Sequence, residues 1–234
     1  MTTALWIACA LACAVLVIAE HRRIPRLRAI AKVLASLAFL ALGAVGYLDD
    51  NVRVAHDYRA GIVAGLALGV IGDVALLGEG KRAFLVGLGA FLLGHLAYVV
   101  AMAQLEPPAE WFADARFLSL LPLAAASVTL VMLWPRLGSM RVPVIAYVLV
   151  IVAMVIGAFA VRYALDQPWR LYAPDFGQLP RDNRDRLVVG AVLFFVSDVA
   201  VARDKFVASS FRNKAWGLPA YYAGQLLIAS TLLT

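Results

Sequence analysis

Two aspartates, Asp73 and Asp198, lie within apolar segments long enough to cross a membrane. A carboxylate at bilayer depth costs roughly 2.5–3.5 kcal/mol even on lenient insertion scales, and nothing in the helix pattern requires that cost. Both residues are therefore candidates for a functional site. Two acids in unequal surroundings can divide the roles of proton donor and charge stabiliser. The alternative is a structural role, in which each acid fixes helix register by bonding a lysine or a tyrosine.

Two further ionisable residues, His95 and Lys32, accompany the acids in the apolar segments. His95 is the only histidine in such a segment, and Tyr98 lies on the same helix face three residues later. A histidine here can orient a water molecule or relay its proton, or it can be a hydrogen-bonded structural residue. Lys32 lies about one turn into its segment, so it can pair with Asp73, bind a substrate phosphate, or extend to the membrane surface.

Neutral hydrogen-bonding side chains complete the set of candidate site residues. They are Tyr147, Ser197, Tyr221, Tyr222 and Gln225. Tyrosines are common at membrane interfaces, so Gln225 in mid-segment is the stronger indication. A three-histidine zinc site cannot be assembled at membrane depth from these residues. A Ser-His-Asp triad could be drawn from Ser197, His95 and Asp198, but Ser197 directly precedes Asp198 and lacks a nucleophile-elbow context.

The elements that position these residues are predicted to be membrane-spanning helices. Of the 234 residues, 63% are hydrophobic and 15% are charged, and the mean hydropathy is +0.85. The apolar runs lack strand-like alternation and are long enough, as helices, for a hydrocarbon core of about 30 Å. The chain is therefore predicted to be an all-α polytopic membrane protein that forms a single transmembrane domain over residues 1–234. Its eight predicted spans are 3–19, 29–48, 60–77, 83–103, 116–134, 141–163, 187–202 and 215–233.

Charge is distributed unevenly between the predicted loops. The loops that join spans 1–2, 3–4, 5–6 and 7–8 carry most of the Lys and Arg residues, and the formal net charge is +6. The positive-inside rule then makes these loops cytoplasmic and puts both termini outside, in an expected bacterial plasma (inner) membrane. The excess of basic over acidic residues predicts that anionic lipid headgroups lie next to the protein. No nucleic-acid partner is expected, because the longest loop, about 164–186, is interpreted as a solvated connector and leaves no room for a folded domain.

The sequence also indicates two related halves, about 20–105 and 136–234. The matches, in the same order in both halves, are Ile30–Leu34 with Ile145–Leu149, Gly65–Asp73 with Gly190–Asp198, and Phe91–Leu96 with Tyr221–Leu226. Because four spans per half is an even number, the halves would share one orientation, with an axis along the membrane normal. The polar residues of corresponding helices would then converge on one central cavity.

Four short motifs hold most of the candidate residues in a fixed order. They are Gly72-Asp73, Phe91-x3-His95-x2-Tyr98, Gly190-Ala191-x2-Phe194-x2-Ser197-Asp198 and Tyr222-x2-Gln225, with Lys32 upstream and Tyr147 between. From about span 2 to the C-terminus, the chain resembles the YhhN family of eight-span membrane proteins. The resemblance implies the activity of the family's characterised members, the lysoplasmalogenases. These enzymes hydrolyse the vinyl ether bond of lysoplasmalogen to a fatty aldehyde and glycerophosphocholine or glycerophosphoethanolamine.

The chemistry that the resemblance implies suits these residues. A vinyl ether is cleaved by protonation of its β-carbon, which gives an oxocarbenium ion that water captures, in parallel with the two-carboxylate logic of glycoside hydrolysis. Asp73 and Asp198 are expected to be the acid and the stabiliser, in an order that the sequence leaves open, with His95 acting on the water. Tyr98 and the neutral side chains named above are expected to bind the lysophospholipid, and Lys32 its phosphate.

No metal or cofactor is expected to take part in this reaction. Three alternatives remain open. One is hydrolysis of another lysolipid or ether lipid. The second is a proton-coupled membrane transporter, in which the two aspartates serve as proton sites at the membrane midplane. The third is a structural or lipid-sensing protein, which would release no product and would tolerate Asp→Asn replacements.

Overall fold

The computed structural model describes residues 1–52, 54–164 and 179–233, and none of these residues forms a strand. The fold is all-helical, as predicted. The α-helices of the described residues are α1 Thr2–Arg22, α2 Pro25–Tyr47, α3 His56–Ala75, α4 Gly80–Ala103, α5 Trp111–Ala115, α6 Leu120–Leu133, α7 Arg141–Ala164, α8 Arg181–Phe206 and α9 Phe211–Ser230. Short 3-10 turns flank α5 and α6 and precede α7.

Helix termini follow local sequence rules. The turn between α1 and α2 has Arg23 in the left-handed region at φ 55°, followed by Pro25 at the first position of α2. Proline is tolerated there because the first amide of a helix has no intrahelical acceptor. At the start of α9, the Ser210 hydroxyl accepts a hydrogen bond from the backbone N–H of Arg212 at 3.2 Å.

Six helical segments within the described residues are long and apolar enough to cross a membrane. They are α1, α2, α3, α4, the segment Phe117–Arg136 around α6, and the segment Gly138–Ala164 that ends with α7. The predicted spans 187–202 and 215–233 coincide with α8 and α9, which are helical but more polar. Four polar side chains of α9 point inward, since Asn213, Tyr221, Tyr222 and Gln225 are all buried. Composition alone therefore understates how much of α9 is buried against other helices.

The predicted connector 164–186 is wrong at its C-terminal end, because α8 begins at Arg181. In the first turn of α8, Arg181 and Asp182 are exposed, but Asn183 packs against the end of α9. Asn183 is buried there, and its amide donates to the carbonyl oxygens of Thr231 at 3.1 Å and Leu233 at 2.9 Å. Residues 165–178 of the predicted connector lie outside the described residues.

Glycines bring α3 against α4 and α8 against α9 at close range. A Cβ built on Gly94 would lie 3.2 Å from the carbonyl oxygen of Gly65. In the second pair, a Cβ on Gly224 would lie 2.9 Å from the carbonyl oxygen of Gly190. Small residues at such positions let helix backbones approach closely, which is the usual basis of helix packing in membranes.

The helix α6 lies at the edge of the fold. Its exposed face includes Val128 and Val131, which are 70% and 74% exposed. It packs on α7 and touches α8 sparsely. An apolar groove therefore remains between α6 and α8, lined by Ala124, Ala125, Val128, Thr129, Phe195, Val196, Val199 and Trp216.

Candidate active site

A cavity of about 310 Å³ lies among the helices, and both aspartates line it. The sequence-predicted residues on its wall are Lys32, Asp73, Tyr147, Ser197, Asp198 and Tyr221. Asp73 is two residues from the end of α3, and Asp198 is eight residues from the end of α8. Lys32 is seven residues from the start of α2. The site therefore lies near one end of the helix bundle, within about 12 Å of those helix ends at 1.5 Å per residue.

Asp73 is held by a cation and a hydroxyl from α2. Lys32 Nζ lies 3.2 Å from Asp73 Oδ1. The Ser36 hydroxyl lies 2.6 Å from Asp73 Oδ2 and donates to it. The Asp73 residue is 3% exposed, so the Lys32 ammonium and the Ser36 hydroxyl bond a buried carboxyl group. Sequence reasoning missed Ser36, although its spacing of four from Lys32 puts both on one helix face.

Asp198 has different neighbours. The Tyr147 hydroxyl donates to Asp198 Oδ2 at 3.0 Å. His95 Nε2 lies 3.3 Å from the same oxygen, and the imidazole is 1% exposed at the side chain. No Lys or Arg forms an ion pair with Asp198 in the part of the chain that the structure describes. Asp198 itself is more open than Asp73, with 16% of its side chain exposed.

The hydrogen bond on the other ring nitrogen assigns the tautomer of His95. Nδ1 lies 2.6 Å from the carbonyl oxygen of Phe91, which can only accept, so Nδ1 carries a proton. In the neutral ring Nε2 then presents a lone pair toward Asp198. The approach is not aligned as a hydrogen bond, since Nε2 has no bonded partner. Either the carboxyl group or the imidazole must carry a proton for the pair to attract.

The remaining predicted residues form a buried network behind the cavity wall. The Tyr98 hydroxyl donates to Gln225 Oε1 at 2.6 Å, and Gln225 Nε2 donates to the Tyr221 hydroxyl at 3.3 Å. The Tyr222 hydroxyl donates to the carbonyl oxygen of Lys32 at 3.4 Å. Tyr98, Tyr222 and Gln225 do not line the cavity, and neither does His95. The network fixes the position of Tyr221, which does.

Aromatic rings that the sequence motifs contain but the site prediction omitted form part of the wall. Phe91 and Phe194 line the cavity together with Tyr221. Their ring centroids lie 5.3–6.4 Å apart in edge-to-face pairs. His95 also packs on Phe194, with centroids 4.3 Å apart. This cluster makes part of the cavity wall apolar, and apolar surroundings strengthen the interaction of each carboxyl group with any charge in the cavity.

Comparison with known proteins assigns the family. The model of the YhhN family matches residues 27–232, which is most of the chain and includes all ten predicted site residues. The chain belongs to the YhhN family. Together with the apolar helices, this membership makes it an integral membrane protein. No solved structure matches this YhhN protein.

Relatives of this YhhN chain occur in bacteria and mammals. A protein named lysoplasmalogenase from Mycobacterium tuberculosis is 31% identical over 187 residues, which cover 76% of this chain and 63% of that protein. Lysoplasmalogenase TMEM86A from Bos taurus is 28% identical over 192 residues, covering 82% of this chain and 70% of that protein. The human protein of the same name is 27% identical over 192 residues. The match thus spans less than two thirds of the length of the mycobacterial relative.

Proposed function

We propose that this chain is a membrane-embedded hydrolase of the lysoplasmalogenase type, which cleaves the vinyl ether bond of a lysophospholipid. The observation that carries the proposal is the unequal environment of two acids on one cavity wall. Asp73 is paired with Lys32, whereas Asp198 faces His95 and Tyr147. The names of the relatives support the same reaction class. The products would be a fatty aldehyde and a glycerophosphodiester.

In this proposal Asp198 is the proton donor. Its carboxyl group carries the proton to be transferred, lies 3.3 Å from His95 Nε2, and has no Lys or Arg partner among the described residues. Transfer of that proton to the β-carbon of the vinyl ether breaks the double bond and leaves an oxocarbenium ion on the adjacent carbon and oxygen. Asp73, ionised beside Lys32, stabilises this cation through space. His95 and Asp198 then accept a proton as water adds to the cationic carbon.

Collapse of the resulting hemiacetal completes the reaction. The bond from the former vinyl carbon to the glycerol oxygen breaks, the hemiacetal hydroxyl loses its proton as the aldehyde forms, and the glycerol oxygen takes a proton. One water is consumed, and no oxidant or reductant is needed. Tyr147 keeps the Asp198 carboxyl in place, and Tyr221 and Ser197 are positioned on the wall to bind the ether oxygen or the water. Tyr98, Tyr222 and Gln225 act by positioning Tyr221 and α2.

The hydrocarbon chain of the substrate is proposed to lie in the groove between α6 and α8. Thr129, Phe195 and Val199 line both this groove and the cavity, so the two are adjacent. The groove lies beside the exposed valines of α6, which would contact lipid. A lysolipid could therefore enter sideways from the bilayer, with its chain still surrounded by apolar surface.

We further propose eight spans in two related halves, with α8 and α9 as the last two. Support comes from equivalent contacts in the two halves. The sequence match aligns Gly65 with Gly190 and Gly94 with Gly224. Gly94 approaches the carbonyl oxygen of Gly65 as Gly224 approaches that of Gly190. The match also aligns Lys32 with Tyr147, the residues that bond Asp73 and Asp198 respectively. The proposal also places the basic loops in the cytoplasm and both termini outside, in a bacterial plasma membrane.

The test is product analysis with the purified full chain in detergent. A 1-alkenyl lysophospholipid should release fatty aldehyde, measured by a coupled dehydrogenase. The matched 1-alkyl lysophospholipid has no double bond to protonate and should yield nothing. Fatty acid from a 1-acyl lysophospholipid, without aldehyde from the alkenyl lipid, would replace this proposal by another lysolipid hydrolase. Absence of both products, with substrate-dependent proton flux in liposomes, would favour the transporter alternative.

A further inference from the structure

The cavity has a charged end that lies away from the two aspartates. Its residues come from helix ends on one side of the bundle and are Glu20, Arg28, Asp204, Lys205, Asn213 and Lys214. The rest of the wall is mostly apolar. A polar part of a ligand would therefore pay the smallest desolvation penalty at this end. The bonding partners of each charged side chain decide whether this end of the cavity suits an anion or a cation.

Both acids at this end are already bonded. Glu20 Oε2 lies 2.8 Å from Lys214 Nζ, so these two charges neutralise one another. Asp204 Oδ1 accepts from the backbone N–H of Ser210 at 2.8 Å, just before α9. Asp204 Oδ1 also accepts from Asn213 Nδ2 at 3.4 Å. Glu20 is therefore paired with a cation, whereas Asp204 keeps its charge and bonds N–H groups near the start of α9.

Two cations at this end have no carboxylate partner within the part of the chain that the structure describes. Arg28 donates one Nη hydrogen bond to the carbonyl oxygen of Leu77 at 3.3 Å, and its Nε is buried without a partner. Lys205 Nζ lies 4.3 Å from the centroid of the Phe84 ring. Leu77 and Phe84 also line the cavity. Two cations without a carboxylate partner, beside the apolar part of the cavity wall, are suited to an anion.

The distance from the acids suits a glycerol phosphate. Arg28 precedes Lys32 by one helical turn on α2, and Lys205 follows Asp198 by about two turns on α8. One to two turns correspond to roughly 5–11 Å along the helix axis. In a lysophospholipid, three glycerol carbons and one oxygen separate the ether oxygen from the phosphorus, which is a reach of this size.

We infer that Arg28 and Lys205 bind the phosphodiester of the lysolipid headgroup and so set the position of the scissile bond between the two aspartates. The identity of the lipid rests on the proposed function. The anion site itself rests on the unpaired cations and the cavity. The pairing of Lys32 with Asp73 assigns that lysine to the reacting centre, and the phosphate site lies one turn further out.

Binding of unreactive lipids tests this inference without turnover. The probes are a 1-alkyl lysophosphocholine and the 1-alkylglycerol of the same chain length, titrated into the full chain in a non-ionic detergent. The variant Arg28→Gln/Lys205→Gln should bind the phosphocholine lipid at least about tenfold more weakly. Its affinity for the alkylglycerol should change less than about twofold, because that lipid has no phosphate.

The variant Arg26→Gln/Arg203→Gln is the matched control. It removes two exposed cations from the same two helices, and neither residue lines the cavity. It should bind both lipids as the unaltered chain does. Equal weakening of phosphocholine binding in the control would assign the effect to surface charge and overturn the inference. Equal loss of both lipids in Arg28→Gln/Lys205→Gln would indicate lost packing, which also overturns it.

A third probe distinguishes the lipid from a soluble anion. Glycerophosphocholine carries the same phosphodiester without the chain and should bind far more weakly than the alkyl lipid. Binding as tight as that of the lipid would make this end a site for a soluble phosphodiester. If the chain discriminates the phosphocholine lipid from the alkylglycerol but releases no aldehyde from an alkenyl lipid, the proposed reaction fails while the phosphate site stands.

Discussion

Replacing Asp198 by Asn is expected to lower kcat for aldehyde release by about 10²–10⁴-fold, the usual contribution of a positioned general acid. The amide has nearly the shape of the carboxyl group, and its oxygen can still accept the hydrogen bond from Tyr147. It has no proton acidic enough for the β-carbon of a vinyl ether. The coupled dehydrogenase assay measures the rate, and thermal unfolding in detergent measures the fold.

The control for this variant is Asp182→Asn, an exposed acid in the first turn of the same helix. It should retain normal turnover. Near-normal kcat in the Asp198 variant, with unaltered unfolding, would remove Asp198 from the reaction. In that case the proton would have to come from Asp73, in spite of its ion pair with Lys32.

The second large effect is on stability and concerns the ion pair of Lys32 with Asp73. Replacing Lys32 by Met is expected to cost about 3–5 kcal/mol, because it leaves a buried carboxylate with Ser36 as its hydrogen-bond partner and no counter-charge. The double variant Lys32→Met/Asp73→Asn removes both charges and should recover most of that loss. The double variant should be inactive, since Asp73 is then an amide and no carboxylate faces the oxocarbenium ion. Denaturant unfolding in mixed micelles measures the difference.

Lys214→Met serves as the comparison for this loss of an ion pair. Lys214 is 34% exposed at the side chain and pairs with Glu20 near the end of the bundle. Partly exposed pairs contribute about 0.2–1 kcal/mol, so this variant should lose much less stability than Lys32→Met. If the double variant is as unstable as Lys32→Met alone, the loss comes from packing of the lysine stem, and the ion pair does not explain it.

The sequence identifies the ionisable residues of the site more clearly than it identifies which of them pair. Asp73, Asp198 and His95 stand out because charged and ionisable residues are rare in apolar helices. Which cation meets which acid depends on how α2, α3, α4 and α8 are packed, and periodicity does not encode this. Lys32 was correctly predicted as a possible partner of Asp73. The approach of His95 to Asp198 and the role of Ser36 emerge only from the structure.

The helices also divide into those that composition predicts well and those whose ends it misses. Apolar runs predicted α1–α4 and α7 well, because lipid-facing helices must be apolar along most of their length. The start of α8 was missed because its charged first turn resembles a loop by composition, whereas Asn183 actually bonds the end of α9. The phosphate site was also missed. Arg28 and Lys205 look like ordinary cytoplasmic flanking residues until the cavity that they border is known.

Isotopic labelling of both products tests the central claim, protonation of carbon followed by water addition, most directly. The full chain is incubated with a 1-alkenyl lysophosphocholine in D2O enriched in ¹⁸O, and the aldehyde is reduced enzymatically to the alcohol as it forms. Mass spectrometry should find one deuterium on the carbon next to the former carbonyl, and no ¹⁸O in glycerophosphocholine. Glycerophosphocholine that contains ¹⁸O would mean that water attacks the glycerol carbon, and would contradict the mechanism.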